Sequence, residues 1–165
     1  SFFKEAGQKL FGHKDAEVAA QEAQAAPDDS ARQARIAEAN TKAGAAIATY
    51  IGTQNLTADG LAVEFDAATS TVTVSGAAAD QATKEKILLC CGNVHGVERV
   101  SDLMTVAQPA DESQYHTVVR GDTLSAIAKT YYGNAGAYMK IFEANRPMLG
   151  HPDRIYPGQL LRIPA

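Results

Sequence analysis

Few side chains in this sequence have the type and spacing for covalent chemistry. The four histidines, His13, His95, His116 and His151, are scattered, and no serine or cysteine nucleophile motif stands near them. They read as surface or loop residues, and the chain reads as a non-enzyme. The two cysteines are adjacent, Cys90 and Cys91. Vicinal cysteines bridge only with strain, and no cysteine–histidine cluster has zinc spacing. Both fall at the C-terminal end of a predicted helix, which raises a thiol pKa rather than lowering it, so they read as small buried apolar residues. No segment alternates Asp or Asn with Gly in the manner of a calcium loop. The acid pairs Asp28-Asp29 and Asp111-Glu112 read as solvated charge, and Tyr131-Tyr132 as packing rather than a sugar platform.

What remains is main chain. Gly92-Asn93-Val94-His95-Gly96-Val97 follows the predicted helix directly. Its two glycines permit conformations that turn several carbonyls inward. The helix end leaves up to four carbonyls without intrahelical partners and a partial negative charge. Such an end attracts a cation, although an ordinary helix cap and turn would use the same residues.

The elements that must position this loop follow from periodicity. Phe2, Phe3, Ala6, Leu10 and Phe11 recur at helical spacing and predict an amphipathic helix over 1–12. About 12 residues are marginal as an isolated helix, so packing or a ligand must order it. Lys4, Glu5, Gln8 and Lys9 interrupt the apolar run that an export signal needs, and the cationic face is weak for a membrane-surface helix. Residues 13–31, rich in Ala, Gln and acids, read as a linker. Ile36, Ala39, Ala43, Ile47 and Ile51 predict a helix over 32–52, ended by Gly52. Alternation over 61–65 and 71–76 predicts a hairpin. A second helix covers 80–91. Residues 97–100 and 103–106 predict a third strand, broken near Ser101-Asp102. This α-β-β-α-β order closes one small domain over 32–107. Residues 108–114 form a connector, and 115–165 read as βααβ: a strand over 115–119, a helix capped by Asp122 or Thr123 and ended by Gly133, a helix over 137–145, and a strand over 159–163. The fold class is α+β in two small domains.

Composition agrees. The chain has 165 residues, 45% apolar and 21% charged, with no apolar run near the roughly 18 residues of a membrane span. The net charge is −4, unevenly divided: residues 1–114 are acidic and 115–165 basic. Opposite charges can steer one unit onto the other, through Arg120, Arg146, Arg154 or Arg162. The acidic part argues against nucleic acid as a partner. Reduced thiols favour a cytoplasmic location.

The second unit closely resembles a LysM domain, through Tyr115-x-Val-x-x-Gly121-Asp122-Thr123-Leu124-x-x-Ile127-Ala128, Ile141-x-x-Ala144-Asn145 and Ile155-x-Pro157-Gly158-Gln159-x-Leu161-x-Ile163-Pro164. The first resembles a BON domain, through Val74-x-Gly76, the helix from Lys84 to Leu89, and Val94-x-Gly96-Val97-x-x-Val100. Paired in this order behind Phe3-Lys4-Glu5-Ala6-Gly7, they resemble the small cytoplasmic BON–LysM proteins of bacteria that bind potassium. The resemblance implies a potassium ion held by main-chain oxygens of Phe3, Ala6, Gln8, Gly92, Val94 and Val97. Neutral carbonyls suit a large, weakly hydrated monovalent ion, whereas carboxylates suit calcium and magnesium. The ligands come from separate segments, so binding should draw the N-terminal segment and the LysM unit onto the BON unit. The LysM resemblance implies an alternative, binding of N-acetylglucosamine-containing glycan such as peptidoglycan in the cell envelope, at Gly121, Asp122, Thr123, Leu124, Arg154, Ile155 and Tyr156.

Overall fold

The computed structural model describes residues 2–4 and 30–165. Its first element, β1 (Phe2–Lys4), is a strand. The helix expected over 1–12 is therefore corrected at these three residues; the remainder of that stretch, and most of the expected 13–31 linker, lie outside the described residues. The helical spacing of Phe2, Phe3 and Ala6 is overridden at Phe2–Lys4 by pairing with an open sheet edge, a tertiary effect that local periodicity does not register.

Helix α1 (Ser30–Thr53) follows. Its apolar stripe buries Ala43, Ile47 and Ile51 completely, the spacing of one helix face. The turn after it closes through the Asn55 N–H on the Gly52 carbonyl at 3.0 Å, with Asn55 left-handed at φ 58°. Strands β2 (Asp59–Asp66) and β3 (Thr71–Asp80) form the expected hairpin, with Val63 opposite Val74 and Phe65 opposite Val72. Asp66 fixes the turn by accepting from the Ala68 N–H at 2.9 Å.

Asp80 caps helix α2 (Gln81–Gly92) by accepting the Thr83 N–H at 2.7 Å. The helix carries the chain across to β4 (Arg99–Gln108), which runs parallel to β3, as a crossover permits. The break expected near Ser101-Asp102 is absent: β4 is continuous. Asp102 is held inside the strand because its carboxylate meets Lys84 Nζ at 3.1 Å and accepts the Met104 N–H at 2.9 Å. The sheet order is β1-β4-β3-β2, and one core joins both helices to it through Ile47, Ile51, Val72, Val74, Ile87 and Val100.

The second unit opens with β5 (Gln114–Thr117), shorter than expected. Thr123 caps α3 (Leu124–Tyr132) by accepting the Ala126 N–H at 3.1 Å, and Gly133 ends it at φ 71°. A 3-10 turn over Ala135–Ala137 leads into α4 (Tyr138–Ala144), so the expected single helix begins with a tighter turn. Strand β6 (Leu160–Ile163) pairs antiparallel with β5. Leu124, Ile127, Ile141, Leu149, Leu161 and Ile163 fill a separate core.

Candidate functional site

The 92–97 loop is built by the end of α2 and the start of β4. The helix gives up two of its last carbonyls locally: the Leu89 carbonyl accepts the Asn93 N–H at 3.2 Å, and the Cys91 carbonyl accepts the Val94 N–H at 3.3 Å. The Val97 N–H then donates to the Val94 carbonyl at 3.2 Å, closing a turn. Gly96 stands in that turn at φ 87°, a conformation that disfavours a side chain. Val94 and Val97 are buried, and Asn93 is 2% exposed. The buried Val94 and Val97 side chains thus anchor the loop.

Phe3, Gly92, Val94 and Val97 lie within the described residues; Ala6 and Gln8 do not. The register gives the relation between the two segments. Phe2 pairs with Ser101, Phe3 with Val100 and Lys4 with Arg99. Each step forward along β1 is one step back along β4, so the strand heads toward Val97. Among the described residues, no group of three or more His, Cys, Asp or Glu side chains could hold a metal ion. Cys90 and Cys91 are buried free thiols. Burial pushes Cys90 up to about 12 and Cys91 higher still, so neither is a ready nucleophile or metal ligand at neutral pH.

Known families and proteins resemble the chain over nearly all of its length. The BON domain model matches residues 28–108 and the LysM domain model residues 116–164. The chain is 45% identical, over 99% of its length and 96% of the relative's, to the potassium binding protein Kbp of Escherichia coli O6:H1. The chain belongs to the Kbp family. A shorter match, 39% identical over 76 residues, covers 44% of this chain and 29% of an uncharacterized protein of Deinococcus radiodurans. The BON-then-LysM order is thus that of a Kbp-family protein. Among the described residues, no helix is long and apolar enough to cross a membrane.

In this Kbp-family chain the residues named for glycan fall on two loops that the fold brings together. The Val118 N–H donates to the Gln159 carbonyl at 2.8 Å and the Gly158 N–H to the Val118 carbonyl at 2.7 Å. Gly121, Thr123, Arg154 and Tyr156 are exposed, Asp122 and Ile155 half-buried. Leu124 is 3% exposed, so its side chain belongs to the core. Asp122, an alternative cap from sequence, instead accepts the Val119 N–H at 2.9 Å and meets His116 Nε2 at 2.8 Å. Tyr131 Oη lies 3.1 Å from the other His116 ring nitrogen. This His116–Asp122–Tyr131 cluster was not legible as such, because a histidine in a strand and an acid in a loop carry no local pairing signal.

Sequence reasoning anticipated charge-steered docking through one of four arginines, Arg162 among them, but not its buried acidic partner, Glu85. Glu85 accepts from Ser113 N–H at 2.8 Å, Ser113 Oγ at 2.7 Å, Gln81 Nε2 at 3.2 Å and Arg162 Nε at 2.8 Å. Burial pushes its carboxyl up, but these donors together outweigh burial and hold it below the ordinary carboxylate range. Of the four arginines singled out, Arg162 is the one seated on Glu85, whereas Arg146 pairs with Glu143 of its own unit at 3.4 Å.

Proposed function

We propose that this chain binds potassium, or an alkali cation of similar size, through main-chain carbonyls of Phe3, Ala6, Gln8, Gly92, Val94 and Val97. It acts in the cytoplasm as a non-catalytic sensor or buffer, compacting as the ion draws the LysM unit and the N-terminal segment onto the BON unit. The observation that carries the reading is the β1–β4 register, which directs the N-terminal strand toward the helix-end loop. The near full-length likeness to a protein named for binding potassium supports it. A ring of uncharged oxygens competes with the hydration of a large monovalent ion far better than with that of magnesium.

Isothermal titration with potassium chloride, against sodium chloride at equal ionic strength, tests it. Saturable heat with potassium and none with sodium is expected; equal responses overturn it. Gly96→Val probes the loop. A β-branched residue at φ 87° costs about 1–3 kcal/mol of local strain, so potassium affinity should fall while the LysM core stays folded.

A second reading has one observation in its favour. Val119 and Tyr156, on the two adjoining LysM loops, are 58% and 50% exposed, an apolar surface suited to a sugar face. Sedimentation with insoluble peptidoglycan separates the two functions, because cation binding predicts no retention in the pellet.

A further inference from the structure

Strand β6 uses one edge to pair with β5. Along its other edge the peptide groups are met by side-chain amides. Asn145 Nδ2 donates to the Arg162 carbonyl at 2.8 Å, and the Arg162 N–H donates to Asn145 Oδ1 at 2.8 Å. Two residues earlier the pattern repeats with Asn93: Nδ2 donates to the Leu160 carbonyl at 3.0 Å, and the Leu160 N–H donates to Oδ1 at 2.9 Å. Each asparagine presents one donor and one acceptor in the way a neighbouring strand's peptide would. Both are buried, at 1% and 2% exposure, where leaving such groups unmade is costly. The origins of the two amides differ. Asn145 belongs to the LysM unit itself. Asn93 belongs to the BON unit and stands between Gly92 and Val94, two of the proposed ligands.

The neighbouring residue makes the same contact sterically. A Cβ on Gly92 would lie 2.8 Å from Leu160 Cδ2, so the end of α2 is seated closely on β6. Asn93 Nδ2 also donates to the Leu89 carbonyl at 3.2 Å. One amide group thus ties together the last turn of α2, the loop behind it and the open edge of the LysM sheet.

We propose that Asn93 is a positioning residue through which β6 sets the conformation of the cation loop, so that potassium binding and seating of the LysM unit are coupled through this one amide. The proposal rests on the potassium reading above and adds the device that transmits it. Coupling of this kind is reciprocal: what strengthens the Asn93–Leu160 pair strengthens the ion site by the same factor, and the ion strengthens the pair.

The internal control is built into the strand. Amide hydrogen exchange of the full chain, in potassium and then in sodium at equal ionic strength, reads the Leu160 N–H, held by the BON amide, beside the Arg162 N–H, held by the LysM amide. Protection at Leu160 should rise at least fivefold in potassium with little change at Arg162. Unchanged protection at Leu160, or an equal rise at both, overturns the proposal. Calorimetry of Asn93→Ala should show potassium affinity weakened about tenfold, and affinity within twofold of the unaltered chain also overturns it. Should that variant fail to fold, the exchange experiment on the natural sequence decides. Absence of any potassium heat from the unaltered chain is a different result, because it removes the potassium reading itself.

Discussion

At the scale of single residues, the fold leaves some groups little reactivity and gives others a hold on the backbone. Cys90 and Cys91 illustrate the first half of that statement. They are buried with raised thiol pKa values, so the thiolate fraction at pH 8 is negligible. A disulfide-exchange reagent such as Ellman's should label neither thiol in the folded protein and both in guanidinium chloride; rapid labelling of either without denaturant would contradict the burial. Their inertness was legible from two adjacent cysteines at a helix end. Asn93 illustrates the other half. Its partner Leu160 is 67 positions away, and an asparagine after a helix reads locally as a cap and nothing more. It is in fact both, since its own N–H caps the helix while its side chain crosses to the other unit.

At the scale of elements, strong periodicity and strong termination signals were reliable. The stripe of Ala43, Ile47 and Ile51 and the Gly133 stop appear where the pattern places them. Phe2–Lys4 and β4 diverged most, and both did so by joining a sheet. Phe2–Lys4 was expected to be helical and instead pairs with β4, while the expected break in β4 is bridged by pairing with β3 from Arg99 through Gln108. Strand ladders depend on a partner distant in sequence, so a window of local residues carries little of that information. The packing of α1 on β2 gives a sharp prediction. A Cβ at Gly44 would lie 2.7 Å from the Val63 carbonyl oxygen, a backbone atom with no rotamer to change. Gly44→Ala should lower the denaturant midpoint, corresponding to a loss of about 1–3 kcal/mol of stability, despite the better helix propensity of alanine. A neutral or stabilising result would mean the helix is free to move off the sheet.

At the scale of the whole molecule, the two units meet through a buried polar contact as well as apolar surface. Leu89 and Leu160 form a small shared cluster, with Tyr115 and Met148 packed against it. Beside it Glu85 joins α2, the connector at Ser113 and β6 at Arg162. Because the folded protein holds the Glu85 carboxyl below its ordinary value, this group stabilises the folded state above the ordinary carboxylate range. The contribution is lost as pH falls through the lowered value. Small-angle scattering at constant ionic strength should show the two units parting only once the pH has fallen below the ordinary carboxylate range. Glu85→Gln should remove that dependence and cost on the order of 3 kcal/mol near neutral pH, because Arg162 is left buried without its charge partner. A variant with the stability and acid profile of the unaltered chain would show the pair to be incidental.

The sequence by itself determined the order of the two units, their α+β class and most element boundaries. Those features arise from residues within one turn of helix or one hairpin of each other. The tertiary structure decided that Phe2–Lys4 enter the BON sheet, that His116, Asp122 and Tyr131 cluster, and that Glu85 and Asn93 reach into the LysM unit. Each of these contacts joins groups whose types are individually unremarkable. Only the packed chain, in which burial makes an unmatched polar group expensive, selects which of them must meet.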